Sequence, residues 1–387
     1  MHHSQSGPEP ARPVHIVFVG AGAVGCFYAS RLHHPERNIH VSLIARSNYS
    51  VLAKDGVKLQ THTFGDYVFT PHSVFPSVPA AATAQQWDYV IVTTKALPDR
   101  SDDSKLIAPL VSDRTCIVLI QNGVGVEEPY RTRFPNTPIV SAVTVISAEQ
   151  IQNGVIRQNR WTRIHLGPYT DSASTTTPPT GVEPSPGQNT TATRSLIPVG
   201  GTSSTGQNGG DYLHQRGLEC AQNLQQRWTL GGIKDVEVSD EIHLQLIRWH
   251  KLCINAAFNP SAVLSGGRGN ADMVRDPELR KHLKGVMEEI WDATPKILGR
   301  KFPDHLAQPE KILKSTERNV GSKPSMLLDW ETGRAMELEV ILGNPVRIAR
   351  NKGVELPRME SMYALLKSAQ ATREEREEKL KKGKGRL

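Results

Sequence analysis

The sequence predicts an α/β domain built on a mostly parallel β-sheet, followed by a second domain made only of helices. Two observations lead to this fold class. Between Val14 and Arg46 a strand, a glycine turn, a helix and a second strand follow in order. After Glu237 nearly every apolar pattern has the helical period instead. Alternating elements followed by a run of helices indicate two separate domains.

The predicted domain boundary divides the 387-residue chain near residue 238. The structured domains cover 14–238 and 239–368, which is an ordinary size for each. Outside them lie a lead-in at 1–13, expected to be disordered, and a charged tail at 369–387. The stretch from about 170 to 210 is rich in Ser, Thr, Pro and Gly. We expect it to be a disordered surface loop, because it buries too little apolar surface to offset the entropy of ordering.

The glycine turn after the first strand has the sequence Gly20-Ala21-Gly22-Ala23-Val24-Gly25. In a dinucleotide-binding turn the first glycine permits the tight bend, the second allows a pyrophosphate to approach, and the third lets the helix pack on the strand. The N–H groups and the dipole at the helix start attract the phosphates. An ordinary glycine-rich turn is the alternative, but the flanking strand, helix and second strand favour a Rossmann-type nucleotide site.

Arg46 ends the second strand, where NAD enzymes usually place an acidic residue for the ribose 2′-hydroxyl. A guanidinium at this place suits a 2′-phosphate instead. The sequence therefore predicts NADPH/NADP+ as the cofactor. The alternative is that Arg46 is only a surface residue in a loop.

Two further strands, at 89–92 and 116–120, lead into segments that carry Lys95 and Asn122. Their nearly continuous apolar runs are typical of parallel strands covered on both faces. Ligands of such sheets bind at the carboxyl ends of the strands. We expect both side chains near the reactive end of the cofactor, although each could equally be a capping or turn residue. Other strands are predicted at 139–146 and 155–166, with edge strands or a hairpin at 51–70.

Composition excludes several classes of function. No apolar run is long enough for a membrane span, and the first thirteen residues lack the apolar core of a secretory signal. The four cysteines have no paired spacing, so neither a disulfide framework nor a metal site is expected. The net charge of +7 is modest, and we expect no nucleic-acid or membrane partner. The expected location is cytoplasmic, with mitochondrial delivery and a homodimer both left open.

Helical patterns dominate the second half of the chain. They lie at 212–228, 240–258, 277–298, 309–315, 336–352 and 357–367. In the second of them, Lys251, Asn255 and Asn259 are spaced four apart and form one polar stripe between apolar positions. Buried amides and ammonium groups need partners, which a polar ligand in a cavity would provide; internal hydrogen bonds are the alternative. Pro260 is expected to kink or end the helix and to expose Asn259 at the cavity edge.

Five motifs together resemble the ketopantoate reductase (2-dehydropantoate 2-reductase) family over nearly the full ordered length. They are GAGAVG, TTKA, QNGVG, KLCINAAFNP and SMLLDWETGRAMELEVILG, of which the last two are the most specific. The resemblance implies a Rossmann domain and an all-helical domain of the 6-phosphogluconate dehydrogenase kind, with NADPH and substrate in the cleft between them. The implied reaction is the reduction of ketopantoate to pantoate, a step in pantothenate and coenzyme A synthesis.

The resemblance also implies roles for individual residues. Lys251 matches the catalytic lysine that donates a proton to the ketone oxygen, and Glu337 matches the acidic residue that completes the cleft near cofactor and substrate. Lys95 and Asn122 match positions beside the nicotinamide and ribose, with Asn122 and Lys251 also expected to contact substrate. The remaining matched substrate-binding residues are Asn255, Asn259, Ser325 and, across a one-residue shift in spacing, Asn270.

The chemistry is coherent from the residues alone. Hydride addition to a ketone develops an alkoxide, which a nearby ammonium stabilises and protonates, and burial would lower the pKa of that lysine. Ser325 could instead cap a helix that begins at Met326, and Glu337 could be an exposed helical acid. Glu339 is expected to face elsewhere. The rival functions are a reductase of another branched 2-keto acid, because one methyl group is discriminated by only about 1–3 kcal/mol, and an inactive NADPH-binding sensor.

Overall fold

A computed structural model describes residues 12–171 and 205–384 of the chain. The predicted lead-in up to residue 11 and most of the insert expected at about 170–210 lie outside the described residues. Within the described residues, the first domain is built on a single mixed sheet of ten strands. These strands are β1 (Val14–Val19), β2 (Ile39–Ile44), β3 (Val57–Thr61), β4 (Gly65–Phe69), β5 (Val74–Phe75), β6 (Tyr89–Val92), β7 (Cys116–Leu119), β8 (Ile139–Gln152), β9 (Val155–Pro168) and β10 (Val236–Val238).

The strand order along the sheet is β4-β3-β9-β8-β7-β6-β1-β2-β5, and β10 pairs with β9 beside this path. The pairs β3–β4 and β8–β9 are antiparallel, and all the others are parallel. The helices of this domain are α1 (Ala23–Ser30), α2 (Tyr49–Asp55), α3 (Val78–Ala84), α4 (Asp103–Ile107), α5 (Glu128–Arg133) and α6 (Thr205–Leu230). The order β7-β6-β1-β2 with helical crossovers confirms the predicted Rossmann-type domain.

The central strands β1, β6 and β7 are buried along nearly their whole length, as their continuous apolar runs predict. Their side chains alternate between two cores, one on each face of the sheet. On β1, Ile16 and Phe18 join the core under α1 and α6, while Val17 and Val19 join the core under α3 and α5. The alternation fixes the register, because a slip of one residue would exchange the two faces.

From Glu241 onward every regular element in the described chain is helical. The α-helices are α7 (Glu241–Leu264), α8 (Asn270–Arg275), α9 (Pro277–Leu298), α10 (Pro309–Thr316), α11 (Ser325–Glu331), α12 (Asn344–Asn351) and α13 (Pro357–Lys384), and a π-helical segment covers Glu339–Gly343. This confirms the predicted all-helical second domain. Helix α7 is central, because its buried face packs in one core with α9, α11 and α13 while Leu244 and Ile247 contact Val143 of β8.

Of the predicted effects of Pro260, a kink or an end of the helix with Asn259 exposed, the helix end and the exposure are wrong. Helix α7 runs through Pro260 to Leu264, and Asn259 is only 4% exposed. A proline removes one backbone hydrogen bond, but both flanks of Pro260 are buried against neighbouring helices, and that packing keeps the helical path.

Two other helices also differ from their predicted limits. The helix predicted at 336–352 is interrupted, since Glu337 lies in an irregular stretch before the π-helical segment and α12. The last helix, predicted to end at 367, continues to Lys384. Its extension packs on the first domain and on the segment before Glu337, through the ion pair of Arg100 with Glu374 and the bonds from Arg373 to two backbone carbonyls. No helix within the described residues is long and apolar enough to cross a membrane.

Candidate active site

The glycine turn lies at the carboxyl end of β1 and at the start of α1. Gly20 has a φ angle of +111°, which non-glycine residues rarely adopt. A Cβ atom on Gly25 would lie 2.3 Å from the carbonyl oxygen of Gly20 and 2.5 Å from Oγ1 of Thr93. Both glycines are therefore required by the close approach of α1 to β1 and β6.

Gly22 differs from its two neighbours in the motif. It is the N-cap residue of α1, its backbone is extended, and no described atom lies within 4 Å of the place that a Cβ would occupy. The helix start has no side-chain cap and no acidic residue in its first turn. The turn formed by Ala21, Gly22, Ala23 and Val24 is thus an open backbone surface at a helix N-terminus, which fits the pyrophosphate of a dinucleotide.

The residues after β2 lie beside this turn. Arg46 is exposed two residues beyond the end of β2. Asn48 is buried, and its side-chain amide donates to the carbonyl oxygen of Ala21 at 3.2 Å and to Oε1 of Gln150 at 2.9 Å. This loop is therefore fixed against the glycine turn, with the guanidinium of Arg46 free to meet a ligand from solvent.

Lys251, Asn122 and Glu337 form a hydrogen-bonded chain across the two domains. Nζ of Lys251 on α7 donates to Oδ1 of Asn122 at 2.9 Å, and Nδ2 of Asn122 donates to Oε2 of Glu337 at 3.3 Å. The backbone N–H of Ala96 also donates to Oε1 of Glu337 at 3.1 Å. Asn122 follows β7 and Ala96 follows β6, so the carboxyl ends of two central strands meet the second domain here.

Burial is the main cause of the shifted pKa values of Lys251 and Glu337. Burial and the nearby cation Arg248 lower the pKa of Lys251 to about 8, against an opposing effect of Glu337. Burial raises the pKa of Glu337, while the bonds from Ala96 and Asn122 and the charge of Lys95 oppose the rise. An amine that gives up its proton near neutral pH can act as a general acid.

Lys95 is paired with a carboxylate that the sequence analysis missed. Its Nζ forms an ion pair with Asp329 of α11, and Asp329 is only 5% exposed. Nε of Arg334 donates to the same carboxylate at 3.2 Å. Lys95 therefore faces Glu337 from a fixed position between the domains.

A small cavity opens beside Lys251. It is lined by Gln121, Asn122, Gly123, Val143, Arg248, Lys251, Leu252 and Asn255. Asn255 lies one turn beyond Lys251 on the same face of α7, as the polar stripe predicts. A ligand in this cavity would meet the ammonium of Lys251, the guanidinium of Arg248 and the amides of Gln121, Asn122 and Asn255, with Val143 and Leu252 as its apolar wall.

Asn259 and Ser325 lie together at the next turn of the stripe. Oδ1 of Asn259 accepts from the backbone N–H of Met326 at 3.2 Å and from the hydroxyl of Ser325 at 3.4 Å. Helix α11 begins at Ser325 itself after Pro324, so Ser325 does not cap a helix that begins at Met326. Asn259 instead attaches the start of α11 to α7, and Ser325 remains exposed at that junction.

The other acidic and amide residues of this region differ in their partners. Glu337 is buried at 7% exposure and is not an exposed helical acid. Glu339 is buried as well, and it accepts hydrogen bonds from Tyr363, Arg347 and Lys367, none of which belongs to the predicted site. Asn270 begins α8 and donates to Oγ of Ser322 at 3.1 Å. The structure therefore joins Asn270 to the loop before α11, while Lys251, Asn122 and Glu337 come into direct contact.

Arg248 and Glu127 are the main residues of this region that sequence reasoning did not find. They are 3% and 1% exposed, and Nε of Arg248 lies 3.1 Å from Oε1 of Glu127. Arg248 could have been found by extending the polar stripe one turn back from Lys251. Glu127 follows β7 in an irregular stretch, and nothing in its local pattern marks it as the partner of a residue on α7.

Comparisons with known proteins give one consistent result. The family model described as ketopantoate reductase PanE/ApbA matches residues 16–171, and the model of its C-terminal part matches residues 243–370. A protein named 2-dehydropantoate 2-reductase from Nostoc is 25% identical over 349 residues, which cover 90% of this chain and 93% of the relative. A yeast relative, "Uncharacterized protein YDL144C" of Saccharomyces cerevisiae, is 29% identical over 95% of this chain and 96% of its own length.

Solved structures agree with these matches. The crystal structure of 2-dehydropantoate 2-reductase from Methylococcus capsulatus superimposes with a TM-score of 0.71 at 29% identity and covers 93% of this chain and 98% of its own. A ternary structure of D-mandelate dehydrogenase with NADH and anilino(oxo)acetate has a TM-score of 0.67 at 16% identity, over 93% of this chain and 99% of the other, and shares the fold alone.

Proposed function

The chain belongs to the ketopantoate reductase family, and from this premise we propose that it reduces 2-dehydropantoate to pantoate with NADPH, in pantothenate and coenzyme A synthesis. The observation that carries the proposal is the position of Lys251. Its amine lies at the junction of the two domains, is held by Asn122, and has a pKa lowered to about 8. A proton donor of this kind is what the reduction of a ketone requires.

The cofactor would bind at the glycine turn and the adjoining strand ends. A reduced nicotinamide bound there would supply the hydride for the carbonyl carbon. The uncovered backbone at Gly22 would receive the pyrophosphate, and Lys95 and Asn122 follow the strands at whose ends a nicotinamide is expected. D-mandelate dehydrogenase, which shares the fold, was solved with NADH. The choice of NADPH over NADH rests on Arg46, whose guanidinium suits a 2′-phosphate.

The protein's own part in the reaction is to hold the substrate and to give it a proton. Charge develops on the ketone oxygen during reduction, and the ammonium of Lys251 stabilises this charge and then transfers a proton to it. Asn122 holds Nζ through its Oδ1, and Glu337 fixes the other end of that amide. The negative field of Glu337 keeps Lys251 protonated to a higher pH than burial alone would allow.

The substrate's polar end would lie along the amide stripe of α7. Asn255 lines the cavity beside Lys251, and Asn259 and Ser325 follow at the start of α11. Uncharged amides and a hydroxyl can bind both a carboxylate and a hydroxyl group. In this proposal these three residues hold the carboxylate and hydroxyl end, and Asn270 contributes through the loop that it fastens at Ser322.

A reductase of another branched 2-keto acid is the rival that an observation favours. D-mandelate dehydrogenase has the same fold, so the fold accepts substrates other than 2-dehydropantoate. The name of the yeast relative, "Uncharacterized protein YDL144C", states no activity. Since a pocket discriminates one methyl group by only about 1–3 kcal/mol, closely related acids must be compared directly.

The test is an NADPH-oxidation assay with 2-dehydropantoate, 2-ketoisovalerate and oxaloacetate, run in parallel with NADH. We expect the highest kcat/KM with 2-dehydropantoate and NADPH. A preference for another acid would favour the rival enzyme. No turnover with any acid, together with tight NADPH binding, would favour the inactive sensor.

A further inference from the structure

Arg248 is a buried arginine next to the proposed proton donor, and its contacts reach across the domain boundary. It lies on α7 one turn before Lys251 and is 3% exposed. Nη1 donates to the carbonyl oxygens of Gln121 at 3.1 Å and Gly123 at 2.9 Å. Both residues adjoin Asn122, so the guanidinium holds the backbone on each side of the amide that binds Lys251.

The second half of the guanidinium binds the neighbouring strand. Nη2 donates to Oγ of Ser141 at 2.5 Å and to the carbonyl oxygen of Ala142 at 3.1 Å, both on β8. One side chain of α7 thus joins the carboxyl end of β7 to β8. The planar guanidinium donates in several fixed directions, so it holds its partners in both distance and orientation, which the ammonium of a lysine cannot do.

Glu127 neutralises this buried cation. Its Oε1 lies 3.1 Å from Nε of Arg248 and also accepts from Oγ of Ser141 at 2.7 Å and from Nε2 of Gln245 at 3.1 Å. A buried charge requires a partner and hydrogen bonds to remain charged. The pair therefore lies almost wholly shielded from solvent inside the domain junction, with Nη1 and Nη2 of Arg248 hydrogen-bonded and its Nε in ionic contact with Glu127.

The turn that carries Asn122 is also fixed from the opposite side. Gly123 has a φ angle of +88°, and a Cβ there would lie 2.4 Å from the carbonyl oxygen of Val340. The N–H of Val124 donates to the same carbonyl at 2.9 Å. The π-helical segment and Arg248 therefore hold this turn between them.

We propose that Arg248, paired with Glu127, is a positioning residue of the active site, which fixes the turn at 121–123 so that Asn122 holds Nζ of Lys251 for proton transfer. The inference rests on the proposed function, because it assigns Lys251 as the proton donor. It adds two residues that form no part of the amide stripe. Arg248 also lines the cavity beside Lys251, and the role proposed for it is exerted through Asn122 and Lys251.

The charge of Arg248 gives this role a measurable signature. The groups that face Lys251 are Arg248 on its own helix, and Asn122 and Glu337 from the other elements packed against it. Glu337 is faced in turn by Lys95 and Asp329. Arg248 lowers the pKa of Lys251 and Glu337 raises it. Loss of the guanidinium should therefore raise the pKa of Lys251, in addition to loosening Asn122.

Two variants separate geometry from charge. Arg248→Lys keeps the cation but cannot make the forked contacts to Gln121, Gly123 and Ser141. The double variant Arg248→Met with Glu127→Gln removes both charges together, so that neither is left buried alone. Arg131→Met is the matched control, because Arg131 also binds several backbone carbonyls, of Phe134, Thr137 and Tyr169 among others, but none beside Asn122.

The experiment measures kcat and NADPH affinity of the full-length variants and, by NMR of isotope-labelled lysine side chains, the titration of Lys251 without ligands. In Arg248→Lys we expect kcat to fall by up to about 10²-fold, because a small misplacement of a catalytic group has that effect, with NADPH affinity and the Lys251 titration retained. In the double variant kcat should fall as well, and Lys251 should titrate above the wild-type value of about 8, toward 10.5. Arg131→Met should leave kcat, NADPH affinity and the Lys251 titration unchanged.

Two results would overturn the proposal. One is a wild-type kcat in folded Arg248 variants, and the other is a loss of kcat in the double variant with an unchanged Lys251 titration, which would make Arg248 merely structural. If the wild-type protein reduces no 2-keto acid, the proposed function fails. The titration still tests whether the charge of Arg248 acts on Lys251. A raised Lys251 pKa in the double variant would then support it, and an unchanged one would refute it.

Discussion

At the scale of single residues, the molecule places an amine where burial works against its charge. Burial and the positive charge of Arg248 lower the pKa of Lys251 to about 8, and the negative charge of Glu337 opposes this lowering. The bond to Asn122 holds the amine in one orientation. These features suit the proposed proton donation, whereas burial of an ammonium costs free energy and does not stabilise the fold.

Replacement of Lys251 tests its role as acid. Lys251→Ala should lower kcat by about 10²–10⁴-fold, because the general acid is lost, while NADPH binding is retained. The measurements are steady-state kinetics and a fluorescence titration of bound NADPH. Lys281→Ala, at an exposed position on α9, is the control and should behave as wild type. An unchanged kcat in Lys251→Ala would remove this residue from the mechanism.

The pH dependence of the reduction follows from the same pKa. The proton donor must be protonated, so kcat should be constant below about 8 and fall about tenfold for each pH unit above it. The lowered pKa thus moves the loss of activity to a lower pH than for an ordinary lysine at 10.5. A pH profile from 6 to 10, at saturating substrate, measures it. A rate that stays flat to pH 10 would show that another group donates the proton.

Arg46 is expected to select the cofactor. Arg46→Asp should weaken NADPH binding much more than NADH binding, because a carboxylate repels the 2′-phosphate and accepts from a ribose hydroxyl. Dissociation constants for both nucleotides measure the effect. Arg37→Asp, at another exposed arginine of the first domain, should leave the ratio unchanged. Equal losses for both nucleotides in Arg46→Asp would exclude Arg46 from this role.

At the scale of elements, the glycine turn separates packing from binding within one motif. Gly25 is needed because α1 lies against Gly20 and Thr93, whereas the position of Gly22 is open. The same three glycines that the sequence marks as one motif therefore do two different jobs. The structure shows which glycine does which.

Alanine at each position tests this division. Gly25→Ala should destabilise the fold by about 1–3 kcal/mol, because its Cβ would overlap the Gly20 carbonyl. Gly22→Ala should change the free energy of unfolding by no more than about 0.5 kcal/mol but weaken NADPH binding, because its methyl group would stand where the pyrophosphate approaches. Thermal unfolding and NADPH titration measure both. Full NADPH affinity in Gly22→Ala would place the pyrophosphate elsewhere.

Local patterns predicted most elements of the fold and part of the site. Continuous apolar runs identified β1, β6 and β7, and the helical period placed α9 at Pro277–Leu298, with the limits that the structure has. The path of α7 beyond Pro260 was mispredicted, because packing of its buried flanks outweighs one lost backbone bond. The π-helical segment after Glu337 was also missed, since it depends on contacts with the turn at Gly123 and Val124.

At the scale of the whole molecule, the site exists only where the two domains meet. Asn122 and Lys251 are 129 residues apart in sequence, and Asn122 and Glu337 are 215 apart. Arg248 and Glu127 form an ion pair across the same junction, with Nε of Arg248 3.1 Å from Oε1 of Glu127. Such pairs have no signature in local sequence, because each partner is specified by a different element. The sequence could therefore indicate Lys251 and Asn122 separately, but not the network that aligns them.

The central claim is that the first domain holds the nicotinamide cofactor while the second supplies the amine that protonates the substrate. A crystal structure of the full chain with NADP+ and pantoate tests it most directly, through the distance from Nζ of Lys251 to the 2-hydroxyl oxygen of pantoate. We expect this distance to be about 2.6–3.2 Å, with the nicotinamide on the other side of the reacting carbon. An amine that points into solvent, with that oxygen bound by other groups, would contradict the account.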